Sequence, residues 1–320
     1  MEQVKKDSKG LQHWTDIMVT LLTLELMAFF YYGTHALANA VVCTAVSFTA
    51  EVICARLMNR HFSTDDLWCI SDALTVSLMM PAVMDYRISA IACIFSVTLA
   101  KNVFGGKRNM IFSPPASAYI FTLVSWKTKL LQYTPPHVHT DIFAKAENLV
   151  DSASRVYNLT GKMNYTDFEI LMGNFSGPCG AVSILLLIVS AVILILRKDI
   201  SAGAFTGTVT GTALFAYLTP LMTSELNNVK YSLVTNMVLF SAVYIVSDLR
   251  VVPKSNFYAF FYGLFTAVFS YILVLTTALE NAVVIISVLF APLALAMRNL
   301  ERTILNESIS EKNSEGAETA

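Results

Sequence analysis

Charged residues are scarce in this sequence of 320 residues. Asp, Glu, Lys and Arg together make up 14%, whereas a typical soluble domain carries about a quarter. Apolar residues make up 55%, and the mean hydropathy is +0.58. So little charge excludes an ordinary soluble enzyme and predicts an integral membrane protein surrounded by lipid. The net charge of -1 says nothing useful about partners. We expect no nucleic acid.

The patterns of common redox metal sites are also missing. The five histidines all fall outside the centres of apolar segments, so axial haem ligands within the membrane are not expected. The five cysteines have no CxxC or other close spacing, which favours buried core residues over disulfides or an iron–sulfur cluster. No Ser-His-Asp or Cys-His arrangement indicates a nucleophilic catalyst. We therefore expect no haem, no iron–sulfur cluster, no metal site and no catalytic residue.

Apolar stretches suitable for membrane spans, which need about 20 residues, recur along the chain. Ten candidates lie at 14–32, 34–57, 67–84, 87–104, 113–126, 179–196, 201–219, 231–248, 256–277 and 280–298. They predict an all-α integral membrane protein of about ten transmembrane helices. We predict a first five-helix half at residues 1–126, an extracytoplasmic loop at 127–178 and a second five-helix half at 179–300. A disordered cytoplasmic tail is predicted at 301–320.

Basic residues are distributed unevenly around these spans. With the N-terminus inside, 15 of the 22 Lys and Arg residues fall on the cytoplasmic side and the other seven outside, five of them in the long loop. Such an excess at short cytoplasmic loops is the positive-inside pattern. It predicts a multi-pass protein of a bacterial inner or plasma membrane with both termini in the cytoplasm.

Acidic residues inside predicted spans are candidates for function, because charge at bilayer depth is costly and usually functional. Glu25, Glu51 and Asp72 lie in the first three spans. They predict either an ion or proton path or a set of structural hydrogen bonds. Asp248 and Glu280 lie nearer the ends of spans and are interpreted as interfacial.

The stretch from Lys101 to Ala116, KNVFGGKRNMIFSPPA, combines a glycine pair, basic residues and a proline pair. Paired glycines permit a tight turn, and proline is favoured at the start of a helix. A helix N-terminus beside Lys and Arg suits an anionic group such as a flavin phosphate. The alternative is a re-entrant turn with basic anchors. The candidate flavin-binding residues are Phe104, Gly105, Gly106, Arg108, Asn109 and Ser113.

The same stretch resembles the GKxxFGGxGxNxFNPA signature of the RnfD/NqrB family, membrane subunits of ion-translocating electron-transport complexes. Four further stretches resemble family motifs in the family's order. They are Ser71 to Pro81, Leu171 to Ser183, Ala242 to Pro253, and Glu280-Asn281. The resemblance covers residues from about 15 to 300.

This resemblance implies a urea-transporter-like repeat and FMN linked through its phosphate to a threonine of the outer loop, in a DxxSGAT motif. The nearest stretch here runs from Asp151 to Tyr157, and Tyr157 stands in the place of the acceptor. The remaining hydroxyl candidates for a covalent acceptor are Thr160 and Ser154. Because the motif is not kept, we expect FMN or riboflavin to be held without a covalent bond.

The resemblance further implies a flavoprotein subunit of an Rnf-type complex, a translocase rather than an enzyme on its own. Such a complex couples electron transfer between ferredoxin and NAD to Na⁺ or H⁺ transport across the inner membrane. The implied partners are the other subunits and redox proteins on the cytoplasmic and extracytoplasmic faces. Loss of the flavin anchor leaves an alternative open: a non-redox membrane scaffold or small-solute transporter on the same fold.

Overall fold

The computed structural model describes residues 2–104, 110–143, 148–219 and 224–318, with side chains between residues 10 and 304 of these ranges. Regular structure in the described residues is helical apart from one antiparallel β-bridge, Tyr133 to Val150. This confirms the all-α prediction.

The helices before the long loop form the first part of the fold. They are α1 (Glu2–Tyr32), α2 (Thr34–Leu57), a 3₁₀ turn (Thr64–Leu67), α3 (Trp68–Met79), α4 (Tyr86–Phe95) with a π-helical continuation (Ser96–Val103), and α5 (Pro114–Ser125). Gly33 separates α1 from α2 with φ +88°, a conformation that glycine adopts without strain. Helix α3 ends where Met80 turns extended before Pro81, because the residue before proline is disfavoured in the helical region.

The central segment, residues 126–183, carries three short helices, α6 (Lys127–Leu130), α7 (Ala153–Thr160) and α8 (Asp167–Met172). Two backbone hydrogen bonds join it to the turn between α1 and α2. Thr140 N donates to Tyr32 O at 2.9 Å, and His35 N donates to Thr140 O at 3.2 Å. A Cβ at Gly33 would lie 3.0 Å from Thr140 N. The segment is therefore packed against one end of the helical body.

The second part contains α9 (Ile184–Arg197), α10 (Ala202–Leu218), α11 (Glu225–Thr235), α12 (Val238–Ser241) with a π-helical continuation (Ala242–Val246), α13 (Asn256–Thr277), α14 (Ala282–Leu289) and α15 (Ala291–Glu318). Glycines let α10 and α13 approach closely, since a Cβ at Gly207 would lie 2.2 Å from Phe260 O. Helix α15 continues to Glu318 and so includes residues 301–318 of the tail that was predicted to be disordered.

Membrane-compatible helices occur in both parts. Within the described ranges, Gly10–Tyr32, Thr34–Leu57 and Asn256–Thr277 are each long and apolar enough to span a bilayer. Two bent pairs also qualify, Glu225–Thr235 with Val238–Val246 at 55° and Ala282–Leu289 with Ala291–Ile304 at 50°. The protein is thus a multi-pass membrane protein, while the count of ten spans stays a prediction.

A shared core joins the two parts. Leu24 and Leu78 from the first part pack in one cluster with Val182 and Phe240 from residues after α8, and all four are fully buried. A backbone hydrogen bond of 2.7 Å from Gly180 N to Leu78 O crosses the same boundary. The region between α3 and the segment entering α9 is therefore protein interior.

Candidate functional site

A buried cluster of charged side chains is centred on Arg250, in the turn between α12 and α13. Its two terminal nitrogens donate to both carboxylate oxygens of Asp72 in α3, at 2.5 and 3.0 Å. Its Nε donates to Asp248 at 2.9 and 3.0 Å. Two carboxylates and one guanidinium leave a net charge of -1 at a contact between the two parts of the fold.

A cavity of about 20 Å³ lies beside this cluster, room for about one water-sized particle. Asp72, Asp248 and Arg250 line it, together with Asp199. One oxygen of Asp199 is 2.8 Å from the Nδ1 of His13 in α1, and its other oxygen has no hydrogen-bond partner among the described residues. Three carboxylates and one guanidinium line this cavity, so acidic side chains outnumber basic ones in its lining.

Aromatic and backbone contacts hold Arg250 in place. Its guanidinium lies 4.6 Å from the ring centroid of Trp68, a cation–π distance. The backbone nitrogen of Arg250 donates to Asp248 at 2.9 Å, so the carboxylate caps its own turn. Asp248 is 8% exposed and Glu280 3%, so both side chains are enclosed by protein. Their interfacial position in the membrane stays a prediction.

Glu51, predicted in the second span, sits in a separate ion-paired cluster. Its side chain is fully buried, and Arg60 and Lys101 reach it at 2.8 and 3.1 Å. Asn102 donates to its other oxygen at 3.1 Å. Lys101 and Asn102 lie on the π-helical continuation of α4, a geometry often found at functional sites. Arg60 also binds Asp66 at 2.6 Å, which ties α2 to the turn before α3.

Glu25 is the third predicted acid, and its surroundings differ from those of the other two. It is 4% exposed on α1. The hydroxyl of Ser77 in α3 interacts electrostatically with its carboxyl. Neither Lys, Arg nor His forms an ion pair with it in the part of the chain that the structure describes. The three acids named as an ion path therefore occupy three distinct sites.

The predicted flavin turn falls largely outside the described residues, since Gly105, Gly106, Arg108 and Asn109 lie there. Of its described members, Phe104 stacks edge-on against Phe112 at 5.3 Å. Ser113 precedes α5 and is 5% exposed, and its hydroxyl has no described hydrogen-bond partner. Nearby, Arg298 of α15 donates to Met110 O at 2.8 Å, so a basic side chain from the end of the fold reaches this turn.

The hydroxyls named as covalent flavin acceptors lie on α7. Ser154 is 1% exposed, and its hydroxyl donates to the backbone oxygen of Thr235. Tyr157 is fully buried and donates to Asn228 at 2.8 Å. Thr160 is exposed, and its hydroxyl donates to Val156 O at 2.7 Å. A buried hydroxyl engaged in this way does not fit esterification by a transferase, so Ser154 does not suit a covalent flavin.

A larger cavity of about 250 Å³ lies in the central segment beside the start of α7. Its lining includes Asp151, Ala153, Tyr165 and Ser176. The hydroxyl of Ser176 donates to Asp151 O at 3.0 Å and closes one wall. The sequence did not indicate this cavity, because the residues that line it are spread along the chain from Pro135 to Ser176.

The partners of the acids were also missed from the sequence. Arg60, Lys101 and Arg250 were counted only as cytoplasmic positive charges, although Asp248 is two positions from Arg250. The nearest signal is the dipeptide Ser-Asp, which occurs at 71–72 and again at 247–248. Both of its aspartates bind Arg250.

Comparison with known proteins gives one family. The sequence model of the NQR2, RnfD, RnfE family matches residues 3–299.

Individual relatives are distant. The D subunit of the Na(+)-translocating ferredoxin:NAD(+) oxidoreductase complex of Acetobacterium woodii is 23% identical over 191 residues, 58% of each chain. The D subunit of the ion-translocating oxidoreductase complex of Shewanella amazonensis is 20% identical over 51% of this chain and 46% of the relative. The Vibrio cholerae protein of the same name is 22% identical over 48% and 43%. The chain spans about half the length of the curated relatives it matches.

Proposed function

The chain belongs to the NQR2, RnfD, RnfE family, and from that premise we propose that it is a membrane subunit of an Rnf-type complex. In this role it contributes to coupling electron transfer between ferredoxin and NAD to the transport of Na⁺ or H⁺. The observation that carries the proposal is the family match along nearly the whole chain. The names of the relatives, which describe ion-translocating oxidoreductase complexes, support it.

The ion-transport part of the proposal is supported by the cavity at Arg250. Its acidic lining attracts cations, and its size suits a small ion or a water molecule. The Asp72–Arg250 pair joins the first part of the fold to the second across this cavity. An ion that competes with Arg250 for the carboxylates would weaken the ion pair between the two parts of the fold. Ion occupancy and the packing of the two parts are then coupled.

The orientation we propose follows from the distribution of Lys and Arg. Ten spans arranged as two five-helix halves place both termini in the cytoplasm and residues 127–178 outside. The Arg250 cavity then lies at the cytoplasmic end of the protein, and the packed central segment lies on the extracytoplasmic face. Subunits and redox proteins of the complex would bind at these two faces.

The flavin part of the proposal is limited to non-covalent binding. The hydroxyl of Ser154 is buried and donates to Thr235 O, and Tyr157 replaces the acceptor threonine. The chain's own residues that would bind a flavin phosphate are the basic ones near the start of α5. FMN or riboflavin, when bound, supplies one-electron and two-electron transfer.

A deletion strain tests the proposal. Membrane vesicles from a host lacking the gene should lose ferredoxin-dependent NAD reduction and ²²Na⁺ uptake, and the wild-type chain should restore both. A tagged chain should also co-purify with the other subunits. The proposal is wrong if both activities persist without the chain, or if the tagged chain purifies alone from membranes in which the complex is active.

The alternative function is a non-redox scaffold or small-solute transporter on the same fold. One observation favours it, namely that the hydroxyls aligned with the flavin acceptor serve as structural hydrogen-bond donors. The two functions differ in flavin content. A chain purified from a flavin-replete host that is colourless and restores no electron transfer would support the alternative.

A further inference from the structure

Helix α3 ends inside the protein rather than at its surface. Met79 and Met80 are fully buried. Two carbonyls of the last turn accept hydrogen bonds from outside the regular helix, Ser77 O from Met80 N and Leu78 O from Gly180 N. A helix C-terminus carries a partial negative charge. In transporters, the ends of such interrupted helices take part in coordinating Na⁺ or H⁺ within the membrane.

Two polar side chains from neighbouring helices meet the last turn of α3. The Nδ2 of Asn39 in α2 donates to the hydroxyl of Ser77 at 3.4 Å. The carboxyl of Glu25 in α1 interacts electrostatically with the same hydroxyl. Glu25 lies eight residues before the turn at Gly33, which corresponds to about 12 Å along the helix. All three side chains are at most 4% exposed.

The hydrogen bonds of this cluster leave two buried oxygens without a hydrogen-bond donor. The amide nitrogen of Asn39 is used on Ser77, and the hydroxyl of Ser77 faces Glu25. Glu25 Oε1 and Asn39 Oδ1 have no hydrogen-bond partner among the described residues. Both atoms are acceptors. A buried acceptor without a partner is costly, and a bare carboxylate more so.

The cluster also lacks a protein cation, in contrast to the other predicted acids. Asp72 binds Arg250, and Glu51 binds Arg60 and Lys101. No group of three or more His, Cys, Asp and Glu side chains is placed to hold a metal ion in the described ranges. A single carboxylate with neutral oxygens does not match a divalent or transition-metal site. It matches the charge of one monovalent cation, and oxygen ligands suit hard ions.

We propose that Glu25, Asn39 and the C-terminal end of α3 form a buried site for one small monovalent cation, Na⁺, at which a proton competes for the Glu25 carboxylate. The assignment of this ion to transport rests on the proposed function. Binding itself does not. None of Glu25, Asn39 and Ser77 lines the cavity at Arg250, so the proposal gives the first part of the fold an ion site of its own.

The test is the thermal stability of the purified full chain in detergent, measured in NaCl, LiCl, KCl and choline chloride at constant ionic strength. A ligand that binds only the folded state raises the melting temperature, by about 5 °C at 100 times its Kd for a chain of this size. We expect Na⁺ and Li⁺ to stabilise the wild type relative to K⁺ and choline. Glu25→Gln should abolish the difference, and Asn39→Ala should raise the half-saturating Na⁺ concentration at least tenfold.

Glu280→Gln is the matched control, since it changes a buried carboxyl at the far end of α13 and should keep the Na⁺ response. The proposal is overturned if Na⁺ and choline give the wild type the same melting temperature, or if Glu25→Gln keeps the full Na⁺ response. If Glu25→Gln does not fold, Asn39→Ala decides: a half-saturating Na⁺ concentration equal to that of the wild type overturns the proposal. Failure of ferredoxin-dependent NAD reduction in vesicles would reject the proposed function and leave this binding result unchanged.

Discussion

Asp72 and Arg250 are 178 positions apart in the chain and form a bidentate ion pair. The two guanidinium nitrogens lie 2.5 and 3.0 Å from the two carboxylate oxygens. Asp72 belongs to the helices before the central segment, and Arg250 lies between α12 and α13, which come after it. Both side chains are less than 10% exposed. The pair therefore holds together two parts of the fold at the cavity that we propose to admit ions.

We expect Arg250→Gln to destabilise the protein by about 3–5 kcal/mol, because it leaves Asp72 and Asp248 buried without a counter-charge. Asp72→Asn should cost less, since Arg250 keeps Asp248. The double variant should lose less stability than the sum of the two single losses. Thermal unfolding followed by circular dichroism measures all three. Strict additivity would mean that the two residues do not interact.

The cluster around Glu51 should respond asymmetrically. Lys101→Met leaves Glu51 bound to Arg60 and Asn102. Glu51→Gln instead leaves the ammonium of Lys101, 3% exposed, without its carboxylate. We expect the second change to lower the melting temperature more than the first, because an unpaired buried charge is the costlier defect. Equal losses in the two variants would contradict this reading of the cluster.

The contact between α10 and α13 should not tolerate side chains at its glycines. A Cβ at Gly207 would lie 2.2 Å from Phe260 O, and one at Gly263 would lie 2.3 Å from Ala204 O. Gly207→Ala should force the helices apart and lower the free energy of unfolding by about 1–3 kcal/mol. Gly10→Ala is the control, because nothing lies within 4 Å of its Cβ position. Equal melting temperatures for the two variants would show that α10 and α13 do not pack as described.

Covalent flavin should be absent from the central segment. In-gel fluorescence of the denatured wild type should show no flavin band, since Ser154 is buried and bonded to Thr235 O. Thr160→Ala should leave the flavin content of the native protein unchanged. A fluorescent band that disappears in Thr160→Ala would identify Thr160 as an acceptor and reject the non-covalent proposal.

The pH dependence of the contact between α8 and α11 follows from Asp167, which lies outside the membrane-spanning segments. The 2.7 Å hydrogen bond from Lys230 lowers the pKa of this exposed carboxyl. A lowered folded-state pKa means that the stabilisation is complete above the ordinary aspartate pKa of about 3.9. It is lost as pH falls through the lowered value.

Because the pair is exposed, Lys230→Ala should shift the melting temperature at neutral pH by only about 1 °C or less. Hydrogen exchange of α8 should increase more in acid in the wild type than in the variant. The interpretation of Asp167 would fail if both proteins showed the same exchange at every pH.

Hydropathy alone predicted the membrane-spanning character of this chain, because a helix that spans a bilayer needs about 20 predominantly apolar residues in succession, and such a run is visible in the sequence. Helices α1, α2 and α13 agree closely with the spans predicted at 14–32, 34–57 and 256–277. Motif order also led to the family. The sequence did not predict where a helix ends inside an apolar stretch. Helix α3 ends at Met79, within a stretch predicted to run to residue 84.

The sites depended on tertiary structure. Glu25, Glu51 and Asp72 were recognised as buried acids from their place in apolar stretches. Which of them is neutralised was decided by side chains brought from elsewhere, such as Arg250 for Asp72. Sequence periodicity reports which face of a helix avoids water, whereas an ion pair depends on the distance between atoms on different helices. For that reason the paired and unpaired acids became distinguishable only in the folded chain.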